Sequence, residues 1–120
     1  MTKLESLKKS SHFETVLKHR VINNDLFTIY RTRNFIKKTK ETKKLYISFV
    51  MRKKVGNSVI RNKIKRKLKY AVQKISEKGK VIDLNYTYVI FGKNNVYKDN
   101  FLNVLNKVND TFKKISEMKK

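Results

Sequence analysis

The sequence predicts an α+β fold: a small sheet of three to four strands packed with helices in an α-β sandwich, in the order αβββαβα. Three observations predict it. Short runs rich in β-branched and aromatic residues occur at 26–32, 45–51 and 86–91, the signature of strands. Two longer stretches, from Ser58 to Glu77 and beyond Asp99, repeat their apolar residues at helical intervals. The blocks follow one another as helix, strands, helix, strand, helix, without repeat, linker or Gly/Ser-rich stretch. That succession suits helices layered on one sheet, and residues 1–120 fit one domain.

Each element has its own warrant. The first helix is placed from Ser11, which has capping-box spacing to Glu14, with Phe13, Val16 and Leu17 following at i, i+3 and i+4. Its end is placed near His19-Arg20. The basic stretch from Arg33 to Lys44 reads as a hairpin loop between the first two strands. Tyr86-Thr87-Tyr88-Val89-Ile90-Phe91 is apolar on both faces, which predicts a central strand. The long helix over Ser58–Glu77 has Gly56 and Asn57-Ser58 ahead of it and Gly79 behind it. The last helix takes Asp99 as its N-cap and aligns Phe101, Leu105, Val108, Phe112 and Ile115 on one stripe.

Charge bounds the function. Lys and Arg total 31 against 9 Asp and Glu, a net charge of +22. A compact chain so charged repels itself unless a polyanion neutralises it, and phosphate backbones gain affinity by releasing counterions to such cations. A membrane is the weaker partner, because no apolar run reaches the roughly 20 residues of a spanning helix. The opening Met1-Thr2-Lys3-Leu4-Glu5-Ser6 lacks the apolar core of a signal peptide, and with no Cys in the chain a cytoplasmic location is expected.

The charge is most organised between Arg52 and Lys69. On a wheel of 100° per residue, Ile60, Ile64, Leu68, Ala71, Val72 and Ile75 fall within about 120°. Asn62, Arg66, Lys69 and Gln73 lie opposite, with Arg61 and Lys65 on a flank. No carboxylate interrupts Arg52 to Lys69, whereas a merely solvated face mixes both signs. Like charges at i, i+4, as in Arg61–Lys65 and Lys65–Lys69, cost helix stability unless neutralised. The ridge therefore reads as a phosphate-facing surface, with Asn and Gln able to pair with 2′-hydroxyls or base edges. Main-chain N–H groups of the turn from Lys53 to Ser58 add a preference for anions.

Lys53-Lys54-Val55-Gly56-Asn57-Ser58-Val59-Ile60-Arg61-Asn62-Lys63-Ile64-Lys65-Arg66 resembles the signature of the bacterial ribonuclease P protein subunit, K-K-x-G-N-A-V-x-R-N-x-x-K-R followed by R-E. The resemblance extends over nearly the whole chain: Leu7-Lys8-Lys9, Phe13 and Val16-Leu17 in the first helix, the strand ending at Tyr30, and Val89-Ile90-Phe91-Gly92-Lys93 in the last strand. Ser58 replaces Ala, Lys69-Tyr70 replaces Arg-Glu, and Leu17 stands where many members have Phe.

The resemblance implies a left-handed βαβ crossover containing the motif helix, where the general rule would give a right-handed one. It implies a role in removing the 5′ leader from precursor tRNA, in a 1:1 complex with the ribonuclease P RNA. Lys53, Lys54, Asn57, Arg61, Asn62, Lys65, Arg66 and Lys69 would contact that RNA. Phe13, Leu17 and Tyr30 would line a cleft for the single-stranded leader, where aromatic stacking tolerates any base. Phe at helical spacing is, on the other hand, ordinary core material. Lys37, Lys38, Lys40, Lys43 and Lys44 would supply non-specific phosphate attraction or solubility.

A nuclease centre of the chain's own finds few candidates. His12 and His19 lie seven apart and read as surface positions, and Asp25, Asp83, Asp99 and Asp110 are scattered. A protein phosphodiesterase needs clustered carboxylates around Mg²⁺ or a His pair. No catalytic residue, metal site or protein-bound cofactor is therefore expected, and by the resemblance the active site and its Mg²⁺ belong to the RNA. The alternatives are a ribosomal protein, equal in size and charge, and a DNA-binding module, for which no helix-turn-helix is evident.

Overall fold

A computed structural model describes residues 3–35, 44–78 and 81–118. Strand β1 (Lys3–Glu5) is followed by α1 (Ser10–Leu17), β2 (Arg20–Asn23), β3 (Phe27–Arg33) and β4 (Lys44–Val50). A 3-10 turn at Lys53–Val55 leads into α2 (Ser58–Glu77), then β5 (Tyr86–Gly92), α3 (Asn94–Lys98) and α4 (Phe101–Ser116). The sheet has five strands in the order β1-β4-β5-β3-β2. The α+β sandwich is thus as the sequence predicts, with one strand more than the three to four expected. The additional elements are short. β1, β2 and α3 have 3, 4 and 5 residues, too few for a periodicity to register.

One expectation fails outright. β3 and β4 do not form a hairpin: β5 lies between them, antiparallel to β3 and parallel to β4. β5 is the most completely buried strand, with six of its seven residues buried, and it takes the centre, where both faces and both edges are covered. The parallel β4–α2–β5 crossover follows directly. Of the loop, Lys44 opens β4, while Lys37, Lys38, Lys40 and Lys43 lie outside the described residues, as does Gly79.

Helix ends also correct the sequence reading. α1 starts at Ser10 with Lys9 as N-cap and no side-chain cap bond, so the Ser11–Glu14 capping box does not form. It stops at Leu17, because Arg20 already pairs with Tyr30 across β2 and β3. His19 is therefore outside the helix. α2 spans the expected residues, with the Asn57 side chain accepting from the Ile60 N–H at 3.0 Å. Asn100, not Asp99, caps α4, accepting from the Asn103 N–H at 2.8 Å, while Asp99 accepts from the Asn100 N–H and the Asn103 amide.

The sheet's two faces are unequal. Phe27, Ile29, Leu45, Ile47, Tyr88 and Ile90 meet Ile64, Leu68, Val72, Val108 and Phe112 in one core under α2 and α4. Tyr88 stacks at a tilt on Phe112, 5.3 Å between centroids, and its hydroxyl donates to the Asp83 carbonyl at 3.0 Å. Burial pushes that phenol far above the usual tyrosine range, with Arg31 pulling the other way. On the second face, Leu7, Val16 and Val89 form a small cluster beneath α1, edged by half-buried Phe13, Tyr30, Val50 and Phe91. The Leu7 N–H donates to Ser48 Oγ at 2.8 Å, anchoring the chain between β1 and α1.

Candidate nucleic-acid interface

The motif helix presents its residues as the wheel requires. Ile64, Leu68, Ala71, Val72 and Ile75 are buried and Ile60 is half-buried, while Asn62, Lys65, Arg66 and Lys69 are exposed. Lys53 and Lys54 are exposed on the 3-10 turn ahead of the helix. Gly56 in that turn has φ 158° and ψ −175°, a region nearly closed to side-chain-bearing residues. A Cβ there would lie 2.9 Å from Ile60 Cγ2, so the turn is pressed onto the helix it opens.

Two predicted contacts have structural duties as well. Asn57 is exposed, but its side-chain oxygen is taken by the helix cap. Arg61 is half-buried beside the apolar stripe, and its Nε donates to the Gly56 carbonyl at 3.1 Å. It braces the lead-in turn. Lys67, by contrast, points inward: its Nζ donates to the carbonyls of Val96 at 3.0 Å and Tyr97 at 3.3 Å, and to that of Asp99.

The leader-site candidates separate. Tyr30 packs edge-on against Phe91, 5.6 Å between centroids and 67° between planes. The Arg52 guanidinium carbon lies 5.1 Å from the centroid of Phe91, within cation–π range. These three, with Arg20, Thr28 and Lys54, line a cavity of about 460 Å³. Phe13 sits half-buried in the cluster under α1, and Leu17, 36% exposed, ends that helix. Neither lines the cavity. Sequence reasoning left out Phe91 and Arg52 as site residues. Strand alternation carried the signal: Phe91 is two residues from Val89, so both face the same side, and Tyr30 pairs with Val89.

Electrostatics leave this surface uncompensated. Among the described residues one ion pair forms, Lys107 with Asp25 at 3.9 Å, both well exposed. Among those residues no three His, Cys, Asp or Glu side chains gather as a metal site, and no helix is long and apolar enough to cross a membrane. His12 instead lies edge-on to Phe35, 5.1 Å between centroids.

A basic helix with no carboxylate before Glu77, joined by one turn to an open aromatic sheet face, defines a class: a small α+β RNA-binding protein. The chain belongs to the ribonuclease P protein family, whose description, Ribonuclease P, matches residues 1–116. The ribonuclease P protein components of Mesomycoplasma hyopneumoniae strains 7448 and J are each 27% identical to it over 122 residues, covering 100% of both chains. The RNase P protein of Staphylococcus aureus superposes with a TM-score of 0.65 at 24% identity, over 93% of this chain and 94% of that one. That of Thermotoga maritima gives 0.67 at 22%, over 92% and 96%. At such identities the superpositions speak for the fold. The family membership decides against the ribosomal and DNA-binding alternatives.

Proposed function

We propose that this chain is the protein component of a ribonucleoprotein ribonuclease P, assisting endonucleolytic removal of the 5′ leader from precursor tRNA. α2 and its lead-in turn bind the RNA subunit through Lys53, Lys54, Arg61, Asn62, Lys65, Arg66 and Lys69. The sheet face around Tyr30, Phe91 and Arg52 holds the single-stranded leader. The observation that carries this reading is continuity: one cavity contains both the aromatic pair and Lys54 of the motif turn. A strand of RNA lying there touches a stacking platform and the RNA-facing motif at once.

The chemistry is hydrolysis of a phosphodiester, with the 5′ phosphate left on the mature tRNA. The described residues offer cations and stacking rings and no cluster of carboxylates, so those donors do not fit Mg²⁺. The catalytic centre is assigned to the RNA partner. The protein then contributes by positioning the leader and screening phosphate repulsion, which matters most when Mg²⁺ is scarce.

The test is cleavage of precursor tRNA at low Mg²⁺ by a bacterial ribonuclease P RNA, with and without the protein. Strong stimulation yielding mature 5′ phosphate ends is expected. Tight RNA binding without stimulation would reject the assignment.

A further inference from the structure

The RNA-facing ridge leaves one feature of α2 unexplained. On the side turned towards α4, Tyr70 stacks on Phe101, with ring centroids 5.1 Å apart and planes 27° from parallel. Tyr70 is 54% exposed while Phe101 is half-buried against the main core, so the pair stands at the core's edge with the tyrosine ring open to solvent. It floors an open groove of about 630 Å³, almost wholly apolar in lining, whose rim carries Lys63, Arg66 and Lys69. Lys74 Nζ lies 5.4 Å from the Tyr70 ring.

The groove is built and held. Positions 63, 66, 70 and 74 recur at helical spacing on one side of α2. Phe101 opens α4, and Lys67 ties α2 to the carbonyls of Val96, Tyr97 and Asp99 just ahead of it. The ring pair therefore sits on two braced helices. The signature that this segment resembles reads Arg-Glu where the chain has Lys69-Tyr70. Here a carboxylate has given way to an exposed ring, and α2 has no acid before Glu77.

An aromatic floor bordered by four cations, with Gln73 the one neutral polar side chain in the lining, suits a ligand with a flat aromatic face and anionic flanks. A second copy of this chain would bring like charge against like. A nucleotide has both required parts. We infer that Tyr70 and Phe101 form a stacking pocket for one unpaired base of the RNA subunit, with the neighbouring phosphates on Lys63, Arg66 and Lys69. This rests on the reading that α2 meets that RNA.

The experiment uses the full chain and a bacterial ribonuclease P RNA transcript, with affinity measured across a salt series. Tyr70→Ala weakens binding about 5- to 100-fold, and Tyr70→Phe stays near wild type, because the ring does the stacking. The slope of log affinity against log salt is unchanged in Tyr70→Ala and falls by about one in Arg66→Ala. The chain has no Trp, so Tyr70→Trp places a single indole in the pocket, and RNA quenches its emission. Wild-type binding with Tyr70→Ala unaffected overturns the pocket alone. Equal losses in Tyr70→Phe and Tyr70→Ala also overturn stacking. Failure of the wild type to bind overturns the RNA-subunit reading and the pocket together. A change in self-association on Tyr70→Ala, with RNA affinity intact, would give the patch to a second copy of the chain instead.

Discussion

The two faces of the sheet share strands but not duties. On β5, Tyr88 and Ile90 point to α2 and α4 and are 1% exposed each, whereas Phe91 points the other way and remains half-buried. The difference follows from what covers each side. Helices of 20 and 16 residues close the first face; an 8-residue helix with a single buried side chain, Val16, lies on the second. A helix of that length covers about 12 Å, so it seals the middle of its face and leaves the end near β5's C-terminus open. The residues left in the open are those a core would have swallowed, a Tyr and a Phe. An unsealed apolar face suits a binding surface, and Arg52 and Lys54 in the lining of its cavity suit the anionic leader proposed for it.

The sharpest way to break this comparison is to truncate one ring on each face. Phe112, 1% exposed and packed on Tyr88, lies on the closed side, and Phe112→Ala is expected to cost about 3–5 kcal/mol of stability. That is a large part of the 5–15 kcal/mol typical of a domain. Denaturant unfolding in sulfate, which supplies an anion to the +22 chain, measures it. A loss under about 1 kcal/mol would mean that the closed face is not the stabilising one. The next largest effect reverses the sign of the contrast. Phe91→Ala should spare most of the stability and weaken binding of a single-stranded leader by about 1–3 kcal/mol, leaving affinity for the RNA subunit unchanged. Equal weakening of both RNAs would show that the two surfaces are one.

That contrast also explains what was legible in the sequence. The closed face was readable because its residues repeat: the apolar stripe of α2 and the doubly apolar β5 each carry a period that tertiary packing then honours. The basic ridge was readable for the same reason, as its complement on the wheel. The strand order was not. β3 and β4 are neighbours in sequence, and nothing local says that a strand 36 residues beyond Val50, at Tyr86, will separate them. Packing both faces of β5 decides it. The short elements β1, β2 and α3 are set by their partners, parallel β4 for β1 and antiparallel β3 for β2. The open face was half legible. Tyr30 was identified, but its partners Phe91 and Arg52 come from another strand and a turn, and only register brings them together.

The smallest effect probes how far the open face extends. Leu17 ends α1 with 36% of its surface exposed, on the helix that stops short of covering Tyr30 and Phe91. It contributes area but no ring, and it lies outside the cavity those aromatics line. If a leader base reaches past Tyr30 to the end of α1, Leu17→Phe gives that base a face to stack on, and leader affinity rises by about 1 kcal/mol, the low end for one stacked base. Stability should barely change, because the new ring enters solvent rather than the Leu7–Val16–Val89 cluster beneath. Affinity for a leader shortened from its 5′ end, measured beside the full one, places the contact. A gain that vanishes with the shorter leader puts the outer nucleotides against α1. No gain with either would confine the binding face to Tyr30, Phe91 and Arg52, with α1 serving only as the lid that keeps the rest of that face dry.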